Sequence, residues 1–141
     1  MKKLILCIGV FLTLVNCTGF VVKKDVIANY YLIATDVPEN MVLSYYASDS
    51  GDNYEEIVPS TVYEIGHNSK YIIAKQHPRT FPNPPDTAIT NYYIVPIRTN
   101  SATSMKKTVI GPLTLEEFNV KCKELNIQAE IKFSDVMKIS K

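Results

Sequence analysis

Apolar and polar positions along this chain fall into three textures. From Asn29 onward they form short runs rich in aromatic and β-branched residues, broken by polar clusters. That texture predicts strands. The runs are Asn29–Thr35, Met41–Ala47, Tyr54–Val58, Thr61–Gly66, Tyr71–Gln76, Thr90–Arg98 and Thr108–Ile110. Asp36–Asn40 is a turn cluster that folds the first two runs into a hairpin. Within Thr61–Gly66 the residues alternate, so Val62 and Glu64 are expected on one face, Tyr63 and Ile65 on the other. His67–Lys70 is turn-like, which makes 61–77 a second hairpin. Pro78, Pro82, Pro84 and Pro85 cannot donate to a ladder, so 77–86 is a loop of polyproline character.

The second texture has helical spacing. Thr114-Leu115-Glu116-Glu117 reads as a capping box. Leu115, Phe118, Cys122 and Leu125 then share one helical face. Lys121 and Lys123 suit the negative end of the dipole, and Asn126 is a natural stop. The spacing predicts an amphipathic helix over 114–126. Beyond it two readings stay open: Ile131 and Phe133 alternate as in a strand, while Val136, Met137 and Ile139 suit a short helix. The expected fold is α+β: a single antiparallel β-sheet of four to six strands packed by one C-terminal amphipathic helix.

The third texture is the N-terminus. Lys2 and Lys3 precede an almost unbroken apolar stretch, Leu4 to Val15. It is too short for a comfortable membrane span, which needs about 20 residues, and it fits the apolar region of a signal peptide. It ends Leu14-Val15-Asn16-Cys17, which resembles the lipobox of bacterial lipoproteins. Leu14 and Cys17 match that pattern, and Asn16 departs from it, since Gly, Ala or Ser is usual there. The resemblance implies a signal peptide over 1–16, a diacylated (palmitate-bearing) Cys17, and attachment to the membrane outside the cytoplasm. No Asp follows Cys17, so in a diderm cell the resemblance points to the outer membrane. Residues 17–28 are expected to hold the lipidated Cys and a tether or first edge element, and 29–141 a single domain.

Charge and cysteine content narrow the class. The formal net charge is +1, and removal of 1–16 takes Lys2 and Lys3 with it, leaving 13 basic against 14 acidic residues. No basic excess marks a nucleic-acid partner or a polybasic membrane patch. With Cys7 in the leader and Cys17 acylated, Cys122 has no partner for a disulfide, so the core must hold the fold unaided.

Three segments carry a family resemblance. Tyr71-Ile72-Ile73-Ala74-Lys75-Gln76-His77-Pro78, Asn91-Tyr92-Tyr93-Ile94-Val95 and Ile110-Gly111-Pro112-Leu113-Thr114-Leu115-Glu116-Glu117-Phe118 occur in that order behind the lipoprotein-like leader. Over residues 28–127 this resembles the DUF3997 family of small bacterial proteins. The resemblance implies a single lipid-anchored domain and no particular activity.

Catalytic signals are weak. His67 and His77 could face each other across the 61–77 hairpin, but neither has the ligand spacing of a zinc site. Cys122 lies on an apolar helix face, where a free Cys behaves as a small hydrophobe. No Gly-x-Ser-x-Gly elbow occurs. Asp49–Asn53 lacks the ligand spacing of a calcium loop. Glu55 and Glu56 point to opposite faces of a strand, and Glu116 and Glu117 serve the helix start. No cofactor is expected. Tyrosine is conspicuous instead, in the pairs Tyr30-Tyr31, Tyr45-Tyr46 and Tyr92-Tyr93. One member of each pair should face away from the core and offer a recognition surface or pack across strands. The expected function is a non-catalytic binding module on a lipid anchor. Its surface would draw on Tyr30, Tyr45 and Tyr92, and on Arg79 and Phe81 of the proline-rich loop, which could also be presented to a hydrolase as an inhibitor. The alternative is a small envelope hydrolase or metal-dependent enzyme built on His67 or His77.

Overall fold

The computed structural model describes residues 19–47, 53–98 and 105–139. The leader with Cys17, the acidic loop 48–52 and residues 99–104 lie outside the described residues.

Two antiparallel sheets form, not one. The first is a meander in the order β1 (Val22–Ile27), β2 (Tyr30–Ala34), β3 (Val42–Ala47) and β4 (Asn53–Val58). The second holds β5 (Val62–His67), β6 (Tyr71–Gln76), β7 (Asn91–Pro96), β8 (Ile110–Leu113) and a two-residue β9 (Ser134–Asp135), in the order β8-β7-β6-β5-β9. The break falls at Pro59–Thr61, where Pro59 cannot donate to a ladder. Strand β1 occupies the stretch read as a tether or edge element, so the sheet begins at Val22 rather than Asn29.

One core is shared by both sheets. Leu32, Leu43, Ile57 and Val58 of the first meet Val62, Ile65, Ile72, Ala74 and Val95 of the second. Leu32, Leu43 and Ile72 are wholly buried, each contributing roughly 1.5–3 kcal/mol of hydrophobic stabilisation. A second cluster lies on the other face of the second sheet, where Ile73 and Ile94 pack on Phe118 and Cys122 of helix α1 (Leu115–Glu124), with Ile127 and Ile131. The layers are therefore sheet, sheet and helix. The helix covers only the second sheet, and strands β6 and β7 are buried on both faces.

Local chemistry sets the helix ends. The Thr114 N–H donates to Glu117 Oε2 at 2.8 Å and the Glu117 N–H donates to Thr114 Oγ1 at 3.3 Å, which closes the expected capping box. At the other end Asn126 adopts φ 56°, the Asn126 N–H donates to the Lys123 carbonyl and the Ile127 N–H to the Cys122 carbonyl. That is a Schellman stop. Leu115 does not join the buried face: it is 55% exposed, and Phe118 and Cys122 carry the contact with the second sheet. The final residues make β9 and then a 3-10 turn at Val136–Lys138.

Strand β5 departs from simple alternation. A bulge between Val62 and Glu64 puts Val62 and Ile65 on the same buried face, with Tyr63 and Glu64 half-exposed. An extra residue in one strand reverses the facing of everything beyond it.

Candidate functional site

The tyrosine pairs divide between two surfaces. Tyr30 pairs with Tyr45, both face the shared core, and their rings meet edge-on at 5.0 Å. Burial pushes the Tyr30 phenol up, and its hydroxyl donates to the Pro96 carbonyl at 3.2 Å, tying one sheet to the other. Tyr30 and Tyr45 are therefore core residues and not part of a binding surface. Their neighbours Tyr31 and Tyr46 face outward instead. Tyr46 pairs with Tyr54, and Tyr54 makes ring contacts with Tyr46 at 5.1 Å, Tyr31 at 5.7 Å and Phe20 at 5.2 Å. Lys23 sets its ammonium over the Tyr31 and Tyr54 rings at 4.8 and 5.0 Å and donates to the Tyr54 hydroxyl. An outward aromatic cluster is present, but it is formed by Tyr31 and Tyr46, the other members of the first two pairs, with Tyr54 and Phe20.

Tyr92 is not part of it. It lies half-buried between the second sheet and the helix, 4.9 Å from Phe118 and 6.4 Å from Phe133. Lys75 covers Phe133 at 4.4 Å and pairs with Glu64.

The histidines do not converge. His67 sits beside the β5–β6 turn, opposite Ile72, whereas His77 follows β6 at the far end of the hairpin. Antiparallel register puts residues 67 and 77 at opposite ends of the ladder, so they cannot face each other. His77 stacks on Tyr63 with centroids 4.1 Å apart, and its Nδ1 contacts the Ile89 carbonyl at 2.8 Å. His67 lines a cleft of about 260 Å³ with Asp25, Lys132 and Ser134. Among the described residues no group of three His, Cys, Asp or Glu side chains could hold a metal ion. Burial raises the Cys122 thiol, which faces the apolar layer.

Arg79 and Phe81 are brought together. Both line a cleft of about 280 Å³ with Thr35, Asp36, Asn40, Val42 and Ser60. The base of their loop is fixed by a polar network. Gln76, 3% exposed, donates to the Ser60 carbonyl at 2.6 Å and accepts from the Asn91 amide at 3.0 Å. Thr61 donates its hydroxyl to the His77 carbonyl at 2.9 Å, and the Asp86 N–H donates to the Pro78 carbonyl at 2.9 Å. The Tyr63 hydroxyl shares a hydrogen bond with Thr90 at 2.9 Å. Arg79 then spans the cleft. Its Nε donates to the Asn83 carbonyl at 3.0 Å and its Nη1 to Asn40 Oδ1 at 2.7 Å. Asn40 in turn donates to Asp36 at 2.6 Å. The Val37 N–H and the Asn40 amide, with a smaller effect from the Arg79 charge, hold the Asp36 carboxyl below its ordinary range. Phe81 stands at the rim, 84% exposed. The cleft thus sets an exposed aromatic ring beside an Arg, and buried aromatic and Arg side chains are typical anchors of protein interfaces.

The sequence carries no signal for several of these partners. Asp36 and Asn40 read only as turn residues, and nothing in a run of prolines says which turn it will touch. Tyr54 and Phe20 are isolated aromatics whose neighbours are set by strand register.

No curated protein and no solved structure shows a significant match to this chain. A family model, described as protein of unknown function (DUF3997), matches residues 27–137. The match takes in the strands from β2 to β9, the helix and the Arg79–Phe81 loop, and the chain belongs to the DUF3997 family.

Proposed function

We propose that this chain is a lipid-anchored protein of the bacterial envelope, held by acyl chains on Cys17, whose folded domain binds a partner protein through the Arg79–Phe81 loop. The anchor rests on the coincidence of a short cationic start, an apolar stretch and the Leu14-Val15-Asn16-Cys17 ending. Two or more acyl chains would hold the domain at the membrane stably.

One observation carries the binding role: a phenylalanine 84% exposed on a loop whose base is pinned by hydrogen bonds. A loop that is already ordered loses little conformational freedom when it binds, so its apolar side chain contributes nearly its full burial energy. The geometry favours binding over the hydrolase or metalloenzyme alternative, because His67 and His77 stand at opposite ends of a hairpin and His77 is occupied in packing the loop.

A photo-cross-linking amino acid at position 81, in cells carrying the acylated protein, tests this reading. Val120, 52% exposed on the helix, is the control position. A discrete adduct from position 81, absent from position 120 and weakened by Arg79→Ala, is the expected result. Identical adducts from both positions, or none from 81, would contradict it.

A further inference from the structure

We propose that the outer face of the first sheet seats on the surface of the bilayer that holds the Cys17 acyl chains, with Phe20 and Tyr54 in the headgroup layer. This rests on the acylation reading above.

Chain length makes the first argument. Cys17 and Phe20 are three residues apart, and an extended chain spans at most about 3.6 Å per residue, so their Cα atoms lie within about 11 Å of each other. Phe20 does not point away from the domain. It packs edge-on against Tyr54, in the aromatic group of the outer face. An acylated Cys17 therefore keeps this face within reach of the membrane surface.

The chemistry of the face agrees. Phe20 is 42% exposed and the adjacent Val21 is 53% exposed. Tyr31 and Tyr54 are half-buried rings with polar tips, the kind of side chain that collects at a membrane–water boundary. Lys23 lies over both rings and can reach phosphate with its ammonium while its stem covers apolar surface. Asp25 and Glu56 are exposed on the same strands, Asp25 opposite Tyr31 and Glu56 opposite Ser44. The attraction is therefore aromatic rather than electrostatic, and it needs no anionic lipid. The opposite layer offers a poorer contact, since α1 presents Glu116, Glu117 and Glu124 around its few exposed apolar residues.

The chain contains no Trp, so a single introduced indole reports without background. Acylated full-length protein carrying Tyr54→Trp, and a second carrying Leu115→Trp on the helix, would be reconstituted in phosphatidylcholine vesicles. Vesicle flotation reads the anchor. Emission wavelength and quenching by acyl-brominated lipid read the seating. Seating predicts that both variants float, that the indole at 54 is blue-shifted and quenched, that the indole at 115 is neither, and that raised salt changes nothing. If both float but the two indoles behave alike, the anchor stands and the seating is wrong. If neither floats, the anchor fails and the seating with it. A blue shift at 54 produced by envelope extract without vesicles would assign the face to a protein partner and overturn the proposal. Phe20→Trp gives the same readout should Tyr54→Trp fail to fold.

Discussion

Gly66 has no side chain because nothing fits there. A Cβ at this position would lie 2.3 Å from the Lys132 carbonyl oxygen and 2.9 Å from Ile131 Cγ2. The missing methyl lets the chain after the helix cross β5 and deliver β9 to its edge. Gly66→Ala should destabilise the fold by about 3 kcal/mol, measured as a lower urea midpoint. Unchanged stability would mean that the crossing is looser than described. Cys122 poses the opposite case, a side chain that is present but out of reach. Burial pushes its thiol up, so little thiolate forms near neutral pH. Alkylation of Cys122, followed by peptide mapping, should be slow in the folded protein and fast in denaturant. Its place on an apolar helical face was legible from spacing alone. The facing of the tyrosine pairs was not, because alternation says that one member of Tyr30-Tyr31 points inward without saying which. Register with β3 decides it, and that register is set by the 35–41 connection between the two strands.

Among the elements, the helix is the most readable. Its capping box and its Asn stop are local devices, fixed within a few residues, and both are present. Thr114→Ala should cost about 1 kcal/mol through the lost cap, seen in chemical denaturation. The Thr114 backbone N–H, and then its hydroxyl, hold the Glu117 carboxyl below the ordinary glutamate range. A carboxyl depressed in the folded state contributes stability that is complete above its unfolded pKa, about 4.3. That contribution disappears as pH falls through the lower folded value. Glu117→Gln should therefore flatten the stability–pH curve below about pH 4.5 while leaving the helix formed at neutral pH. An unchanged acid limb would show that the carboxylate is not held by Thr114 in solution. Strand β5 is less readable, since a single extra residue between Val62 and Glu64 undoes the alternation that identifies the strand. The proline-rich stretch was legible as a loop, but not as an ordered one, because its order comes from Gln76, Thr61 and Tyr63 on neighbouring strands.

At the scale of the molecule, the second sheet carries its position in its composition. Ile72-Ile73-Ala74 and Tyr93-Ile94-Val95 are unbroken apolar runs, and a strand with no polar face is a strand covered on both sides. That signal implies a layer covered on both faces, whereas counting strands alone suggests one sheet with a single covered face. The division at Pro59 is visible only once it is known that β4 and β5 do not pair. Among the described residues, Lys24 ties the first strand to the last turn. It is 8% exposed and donates its ammonium to the Val136 carbonyl at 2.8 Å. The folded unit thus begins within a few residues of Cys17, and an anchor there would hold it close against the membrane. Intact mass spectrometry of the membrane-fraction protein, beside a Cys17→Ser variant, tests this account most directly. The account predicts a mature chain that starts at Cys17 and carries added acyl mass, with the variant unacylated and unprocessed. A chain cleaved without acyl mass, or one that keeps Met1 to Asn16 and still sits in the membrane, would contradict it.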